Sequence, residues 1–371
     1  MTLHPIKSFL FSLALLIQLS TIAQDANLLI GTYTQKGSKG IYLFHFDTAT
    51  GKATEISHTD SAKNPSYLTI SKDKQNVYAV NESAEGSVSV YSLKNNQLNL
   101  LQNKSSKGAS PCYIALSPDQ RNLFVANYMG GSLTSFHRFA DGQISNPQQF
   151  IQHSGSSVNK GRQEKAHVHG LFFSPEGKYL LTPDLGTDQV SIYPYQFKNS
   201  PPLDEQKVKN IPSSPGAGPR HLTFSANGKF IYIIEELTGS ISVYRFTKGV
   251  ASFIQTLAIH PAAATTIHGS ADIHLSPDGL FLYATNRGTE NNIVKLPVLP
   301  NWKLDEKHIS YYSTQGNAPR NFTMTPDGNW LLVANQESDN VIVFKRNTTT
   351  GELTNTGNSI KVSMPVCLLF Y

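Results

Sequence analysis

The segment Ser270-Ala-Asp-Ile-His-Leu-Ser-Pro-Asp-Gly279 joins a short apolar run to a turn signal, and similar segments recur along the chain. Proline fixes φ and glycine accepts a positive φ, so Ser-Pro-Asp-Gly predicts a tight turn. Related segments place an anchor residue at the position of Ser276, namely at Ser71, Ser117, Ser174, Ser225, Ser276, Thr325 and Tyr371. Successive anchors lie 46, 57, 51, 51, 49 and 46 residues apart, which indicates a repeat architecture.

Each repeat contains more than one strand signal. The first six anchors are followed by a second apolar run, such as Asn76–Asn81 or Asn329–Asn335. A third run then alternates polar and apolar residues, as in Ser240-Ile-Ser-Val-Tyr244, and a weaker fourth run follows. Alternation with a period of two indicates β-strands. Four strands in a repeat of about 50 residues predict the blade of a β-propeller.

The two ends of the chain predict how the ring closes. The chain ends on a lone first-type strand, Pro365–Tyr371. Near its start, Leu28–Tyr33 and Gly40–Phe46 match the second and third strands of a blade. One blade shared between the termini would close the ring and remove its free sheet edges. We therefore predict an all-β protein, a seven-bladed β-propeller, with residues 24–371 forming one domain.

Residues 1–23 have the pattern of a cleavable export signal. Lys7 precedes the apolar run Phe9–Leu19, and Thr21 and Ala23 supply small residues ahead of cleavage before Gln24. The run is shorter than the roughly 20 residues that span a bilayer, which argues against the alternative of an uncleaved anchor helix. We expect a periplasmic or secreted protein with no membrane insertion after cleavage.

Composition excludes several classes of function. The 371 residues carry 31 Lys and Arg against 26 Asp and Glu, with no basic block, so we expect no nucleic-acid binding. Two cysteines, Cys112 and Cys367, exclude a disulfide scaffold and a four-cysteine metal site. We interpret the histidines of His167-x-His169 and Asp272-x-His274 as hydrogen-bonding groups of the channel wall. We therefore expect a monomer with no metal and no cofactor.

Aligned positions predict which side chains reach the mouth of the channel. The first strand of a propeller blade borders the channel, and its start would lie beside the end of the second strand. The residues at the start of the first strand and at the end of the second strand of each repeat would then form rings around one rim. On that basis His169, Arg220, Glu236, Arg287 and Arg320 would converge. Arginines suit the bidentate capture of carboxylate or phosphate, although ion pairs between blades are the alternative interpretation.

Several motifs together resemble one known family. They are Gly218-Pro-Arg-His221, Glu236-Leu237, Ala271–Gly279, Asn286-Arg287 and Pro319-Arg320. The sequence resembles the seven-bladed β-propeller lactonases, typified by the propeller type of 6-phosphogluconolactonase, over nearly all of 25–371. It is similar, more distantly, to the fungal carboxy-muconate lactonizing enzymes. The resemblance implies a catalytic cluster of His169, Arg220, Glu236 and Arg287.

A second group of residues is assigned to substrate binding. Its members are polar or basic side chains of the motifs or of the long loop before the third anchor: Arg320, His221, Asp272, His274, Gln336 and Arg162. On the same loop, Lys160 and Lys165 would help Arg320 hold a phosphate or carboxylate group of the substrate.

The expected activity is metal-independent hydrolysis of an anionic sugar lactone of the 6-phosphogluconolactone type. Either Glu236 or His169 would deprotonate the attacking water, and Arg220 or Arg287 would stabilise the oxyanion. Two other readings stay open: a lactonizing lyase or isomerase acting on muconates, and a non-catalytic extracellular binding module. The export signal departs from the family's pentose phosphate pathway, which is cytoplasmic, so the lactone itself stays open.

Overall fold

The computed structural model describes residues 26–60, 62–261 and 269–371. They form seven antiparallel sheets of four strands each, which are the blades of a propeller ring, as the repeats predicted. The predicted export signal, residues 1–23, lies outside the described residues. Within the described ranges, no helix is long and apolar enough to cross a membrane.

The closing blade combines both ends of the chain. It contains β1 (Ala26–Thr32), β2 (Tyr42–Asp47) and β3 (Lys52–His58), and its innermost strand is the last one, β28 (Pro365–Phe370). Leu29 pairs with Leu369, and Ile30 pairs with Leu368. The prediction that the termini share one blade is therefore confirmed.

The other six blades follow in chain order, each built from four consecutive strands. They are β4 (Leu68–Ile70), β5 (Asn76–Asn81), β6 (Ser87–Lys94) and β7 (Gln97–Ser105); β8 (Pro111–Leu116), β9 (Asn122–Asn127), β10 (Ser132–Arg138) and β11 (Ile144–Gln152); β12 (Phe172–Phe173), β13 (Tyr179–Asp184), β14 (Gln189–Pro194) and β15 (Lys209–Pro212); β16 (Pro219–Phe224), β17 (Phe230–Glu235), β18 (Ser240–Thr247) and β19 (Val250–Ala258); β20 (Ser270–Leu275), β21 (Phe281–Asn286), β22 (Asn292–Pro297) and β23 (Ser310–Ser313); β24 (Pro319–Met324), β25 (Trp330–Asn335), β26 (Asn340–Arg346) and β27 (Leu353–Lys361). Short 3₁₀ helices cover Glu205–Lys207, Glu306–His308 and Gln336–Ser338.

The apolar core is divided among the interfaces between blades. Seven clusters of buried hydrophobic side chains occur, and each joins one blade to the next around the ring. Strands such as β5 and β25 are buried along their whole length because both of their faces meet a neighbour. Between the sixth blade and the closing blade, Phe46 meets Trp330 edge to face with ring centroids 5.9 Å apart.

The Ser-Pro-Asp-Gly segment forms the turn that its sequence predicts. Ser276 Oγ donates to Asp278 Oδ1 at 2.5 Å and accepts from the Phe281 N–H at 3.0 Å. The Leu280 N–H donates to the same carboxylate oxygen, and Gly279 adopts a φ of +72°. These contacts close the hairpin between the first and second strands of the blade.

One backbone hydrogen bond recurs in all seven blades at the opposite end of that hairpin. The residue after each second strand donates its N–H to the carbonyl of a residue just before the first strand. The pairs are Tyr33 to Met364, Glu82 to Asn64, Tyr128 to Ser110, Leu185 to His167, Glu236 to Gly218, Arg287 to Gly269 and Gln336 to Ala318. The start of each first strand therefore lies beside the end of the second, at one rim.

Ring closure leads to a test of stability. Leu368 in β28 is 5% exposed and packs between the closing blade and the sixth blade. Leu368→Ala should lower the free energy of unfolding by about 2–5 kcal/mol, because it leaves a cavity in a buried interface. Phe253→Ala, at a side chain 64% exposed, should change it by less than about 1 kcal/mol. Urea unfolding measures both, and equal effects would contradict the importance of this interface.

Candidate active site

β-Bulges in the inner strands aim pairs of neighbouring residues into the channel. In β16 the register with β17 shifts between Pro219 and His221, so Arg220 is the extra residue. Arg320 in β24 lies at an equivalent shift. Strict alternation would point Arg220 and His221 to opposite faces of the sheet. Instead both side chains border one cavity, and Arg220 Nη1 lies 3.4 Å from His221 Nε2.

Three arginines meet on the carboxylate of Glu236, which follows β17 and is 3% exposed. Its Oε2 lies 2.9 Å from Arg220 Nε and 3.0 Å from Arg287 Nη2. Its Oε1 accepts from Arg162 Nη2 at 2.6 Å. The Arg220 Nε–H makes no directed hydrogen bond, so this contact with Glu236 is an ion pair by distance alone. The cluster thus brings together residues from four parts of the chain. Glu236 follows β17 and Arg287 follows β21, whereas Arg220 lies on the inner strand β16 and Arg162 on the long loop before the third anchor.

The arginines decide the charge state of Glu236. Burial alone would raise the pKa of Glu236, but Arg287, Arg220 and Arg162 outweigh it and lower this pKa to about 2. Glu236 is therefore ionised at neutral pH, with both oxygens engaged. A carboxylate in that state is a weak proton acceptor. The geometry favours a role in aligning the arginines.

Arg320 also lies at the mouth, and its guanidinium group has no hydrogen-bond acceptor among the described residues. It lies 5.5 Å from the centroid of the Tyr33 ring. It makes no hydrogen bond or ion pair with residues in the described ranges. Nearby, Glu82 Oε2 accepts from Tyr33 Oη at 2.9 Å and from Ser66 Oγ at 2.5 Å. Tyr33, Glu82 and Ser66 occupy aligned ring positions, but sequence analysis gave Glu82 only a supporting place near the rim and named none of the three as a site residue.

The mouth carries an excess of positive charge. Four arginines face it, namely Arg162, Arg220, Arg287 and Arg320, against the carboxylates of Glu236 and Glu82. Burial, followed by the charges of Arg287 and Arg320, lowers the pKa of Arg220 to about 10, which still leaves it charged at neutral pH. Because like charges held this close repel, an anionic ligand would be stabilised here.

Two imidazoles border a small cavity of about 10 Å³ below this cluster. The His169 and His221 rings have centroids 5.3 Å apart. Burial, followed by the charges of Arg220 and His221, holds the pKa of His169 well below its usual range. Burial and Arg220 lower the pKa of His221 to about 4, against the opposing effect of Asp272. Both imidazoles are therefore neutral at neutral pH and have a nitrogen able to accept a proton.

Asp272 lies in the same layer as His221 and binds two histidines. Its Oδ1 is 2.9 Å from His221 Nδ1, and its Oδ2 is 3.0 Å from His274 Nε2. Asn321 Nδ2 donates to Oδ2 at 2.5 Å. Burial opposes ionisation, but His274 and His221 hold the pKa of Asp272 well below its usual range. Asp272 is therefore a buried carboxylate anion shared by two imidazoles.

The loop that carries Arg162 is fastened by a residue that sequence analysis missed. Asp188 is buried and accepts from Ser157 Oγ at 2.5 Å and from Gln163 Nε2 at 2.7 Å. It also accepts from the Gly218 N–H at 2.7 Å. One carboxylate thus ties the Arg162 loop to the segment that leads into Arg220. No sequence motif marked Asp188, because its partners are distant in the chain.

Some predicted binding residues do not join the cluster. Gln336 donates from Nε2 to Glu337 Oε1 at 2.8 Å on the exposed rim, and Lys165 Nζ donates to the Met129 carbonyl at 2.8 Å. Lys160 is exposed. His274 lies two residues beyond Asp272 on β20, toward the opposite opening. In the part of the chain that the structure describes, no three His, Cys, Asp or Glu side chains are grouped to hold a metal ion.

Comparisons with known proteins agree with one another. The family model for Lactonase, 7-bladed beta-propeller, matches residues 27–370. The chain is 34% identical over 330 residues to the 6-phosphogluconolactonase of Formosa agariphila, covering 87% of this chain and 93% of that protein. It is 31% identical over 346 residues to the 6-phosphogluconolactonase of Bacillus subtilis, covering 92% and 97%. The solved structure of the periplasmic gluconolactonase PpgL of Pseudomonas aeruginosa matches with a TM-score of 0.86 and 35% identity, over 94% of this chain and 99% of that one.

The low pKa of Glu236 predicts a specific dependence of stability on pH. A carboxyl whose pKa falls from 4.5 to about 2 on folding stabilises the fold above about pH 4.5, and that contribution is lost as the pH falls toward 2. The free energy of unfolding of the wild type should therefore decline more steeply between about pH 5 and 2 than that of Glu236→Gln. Urea unfolding at several pH values measures the slope. Glu85→Gln, at an exposed position, is the control, and a Glu236→Gln slope equal to the wild-type slope would refute the assignment.

Proposed function

The chain belongs to the seven-bladed β-propeller lactonase family, as its motifs predicted, and we propose that it hydrolyses the δ-lactone of a sugar acid. The proposed substrates are 6-phosphogluconolactone or a related gluconolactone, by analogy with the relatives named for these activities. The observation that carries the proposal is the cluster of Arg162, Arg220 and Arg287 on Glu236, above a cavity bordered by neutral imidazoles.

Arginines at the mouth supply what lactone hydrolysis needs most. Attack of water on the ring carbonyl places negative charge on an oxygen, which positioned donors stabilise. Arg220 and Arg287 approach the same Glu236 oxygen, at 2.9 and 3.0 Å, so we infer that they face a shared oxyanion position. Removing one such donor typically costs about 10²–10³-fold in rate. Glu236 would hold the two guanidinium groups in place.

The attacking water must lose a proton, and we assign that step to an imidazole. Sequence analysis left Glu236 and His169 as alternatives. The low pKa and engaged oxygens of Glu236 weigh against it, whereas the imidazoles of His169 and His221 both border the cavity and are neutral. General base catalysis of this kind contributes about 10²–10⁴-fold.

We propose further that the enzyme is exported and acts on lactones outside the cytoplasm. The pattern of residues 1–23 supports this, as does the similarity to a gluconolactonase described as periplasmic. Outside the cytoplasm an unphosphorylated aldonolactone is the expected substrate, and both forms should be compared directly.

The first experiment measures hydrolysis of freshly prepared 6-phosphogluconolactone and gluconolactone by purified residues 24–371, with and without EDTA. Both lactones hydrolyse spontaneously, so the rate above background is the readout. We expect turnover that survives EDTA and falls at least about 10²-fold in Arg220→Ala, with folding checked by circular dichroism. Absence of turnover above background would refute the lactonase proposal, and turnover of muconates instead would establish the lyase alternative.

A second prediction concerns Arg320. Because its guanidinium is not engaged by an acceptor in the described ranges, we propose that it binds the anionic group of a phosphorylated lactone. Arg320→Gln should raise KM for 6-phosphogluconolactone by about tenfold or more, with a smaller effect on gluconolactone. Arg245→Gln, at an exposed arginine on β18, is the matched control. Equal effects of Arg320→Gln on both substrates would contradict a role in reading phosphate.

A further inference from the structure

The layer of side chains just below the arginines contains a second imidazole with a defined orientation. We propose that His221 is the general base of the lactone hydrolysis, oriented by Asp272, and that His274 adjusts it from the opposite opening of the channel. This inference rests on the proposed function and names which of the two imidazoles takes the proton from water.

The contact with Asp272 fixes the tautomer of His221. Asp272 Oδ1 lies 2.9 Å from His221 Nδ1, and a carboxylate accepts, so Nδ1 carries the proton. The lone pair is then on Nε2. Arg220 Nη1 lies beside the imidazole, 3.5 Å from Nδ1 and 3.4 Å from Nε2. His221 borders the cavity beneath the arginines. An imidazole held by a buried carboxylate, with its other nitrogen toward the reactants, is the arrangement that activates nucleophiles in hydrolases.

His169 lacks this support. Its side-chain hydrogen-bond contact is with Cys112 Sγ, 3.9 Å from Nδ1, and among the described residues no carboxylate forms a hydrogen bond or ion pair with its ring. A proton taken up by His169 would sit among the charges of Arg220 and Arg320, which oppose it. The imidazolium of His221 would instead rest against the Asp272 anion. The electrostatics therefore favour His221 as the group that becomes charged during the reaction.

The chemical step balances with His221 alone as proton carrier. Water gives a proton to His221 Nε2 while its oxygen bonds to the lactone carbonyl carbon, and the carbonyl oxygen becomes the oxyanion. Collapse of this intermediate breaks the ring C–O bond. The proton on Nε2 then passes to the departing alkoxide oxygen. The product is a hydroxy acid, which ionises to solvent, and His221 returns to its neutral state.

His274 links the pair formed by His221 and Asp272 to the opposite opening of the channel. Asp272 and His274 lie two residues apart on β20 and therefore on one face of it. The His274 side chain is 40% exposed, whereas those of Asp272 and His221 are nearly fully buried. Burial opposes protonation of His274, but its contact with Asp272 prevails and raises its pKa. A positive His274 partly neutralises Asp272 and so makes His221 less basic.

Charged and titratable groups surround His221 on every side. Those facing it are Arg220 on its own strand, Asp272 and His274 on β20, His169, and the rings of Tyr67 and Tyr113. Around His274, the charged group in contact within the described ranges is Asp272. Because Arg220 stays charged throughout the working range, His274 is the neighbour through whose protonation the pH can act on His221.

The experiment compares kcat/KM between about pH 3 and 8 for the wild type, His221→Gln, His169→Gln and His274→Gln, using gluconolactone. The acidic limb of the wild type should lie near pH 4, where His221 takes up a proton. His221→Gln should lose about 10²–10⁴-fold, and more than His169→Gln loses. His274→Gln keeps a donor to Asp272 but removes a charge, so it should move the acidic limb upward by about 0.5–1 pH unit.

The outcomes separate the two claims. An inactive wild type would overturn the proposed function and this role together. An active wild type whose His221→Gln variant stays within about threefold, or loses less than His169→Gln, would overturn the role of His221 alone. A His274→Gln profile reduced equally at every pH, with no shifted limb, would show a merely structural His274. Since His274 is partly exposed, that variant stays informative even if His221→Gln fails to fold.

Discussion

The hydrogen-bonded pairing of β28 with β1 closes the propeller, because it turns a chain of repeats into a ring. A ring has no terminal blade, so all seven apolar clusters lie between two neighbours. Both cysteines, Cys112 and Cys367, are free and buried, so closure is achieved by strand pairing and packing. Once the ring is closed, seven inner strands are held around one channel, and residues far apart in sequence become neighbours there.

The channel gathers charge that the framework alone would not favour. Four arginines stand near two carboxylates at the mouth, and Arg220 and Glu236 are buried away from water, whereas the Arg162 side chain is 42% exposed. Buried ion pairs contribute little net stability compared with apolar packing, while removing one partner is costly. A cluster in which Arg162 reaches Glu236 from a separate loop is therefore a weak source of net stability. The same reasoning applies to Asp272, which remains an anion because two histidines and Asn321 bind it.

The sequence predicted the fold well and the site in part. The recurring anchors determined the number of blades and the shared closing blade, because period and strand alternation are local properties of the chain. The convergence of Arg220, Glu236 and Arg287 followed from the same alignment. The bulge at Arg220 was not predictable, since it depends on pairing between strands and has no signature of its own. Gln336 was placed in the right ring, but its amide turns to Glu337, because side-chain direction depends on neighbours that alignment does not reveal.

The bulges also determine which side chains of the inner strands form the mouth of the channel. A bulged residue is the one that the ladder of strand hydrogen bonds skips, so its backbone has no paired partner on the neighbouring strand. The bulged residue is Cys112 in β8, Arg220 in β16 and Arg320 in β24. The side chains at these bulges can therefore differ while the strands that form the channel wall stay the same. A single substitution at a bulge can change the chemistry of the mouth without changing the packing between blades that keeps the ring closed.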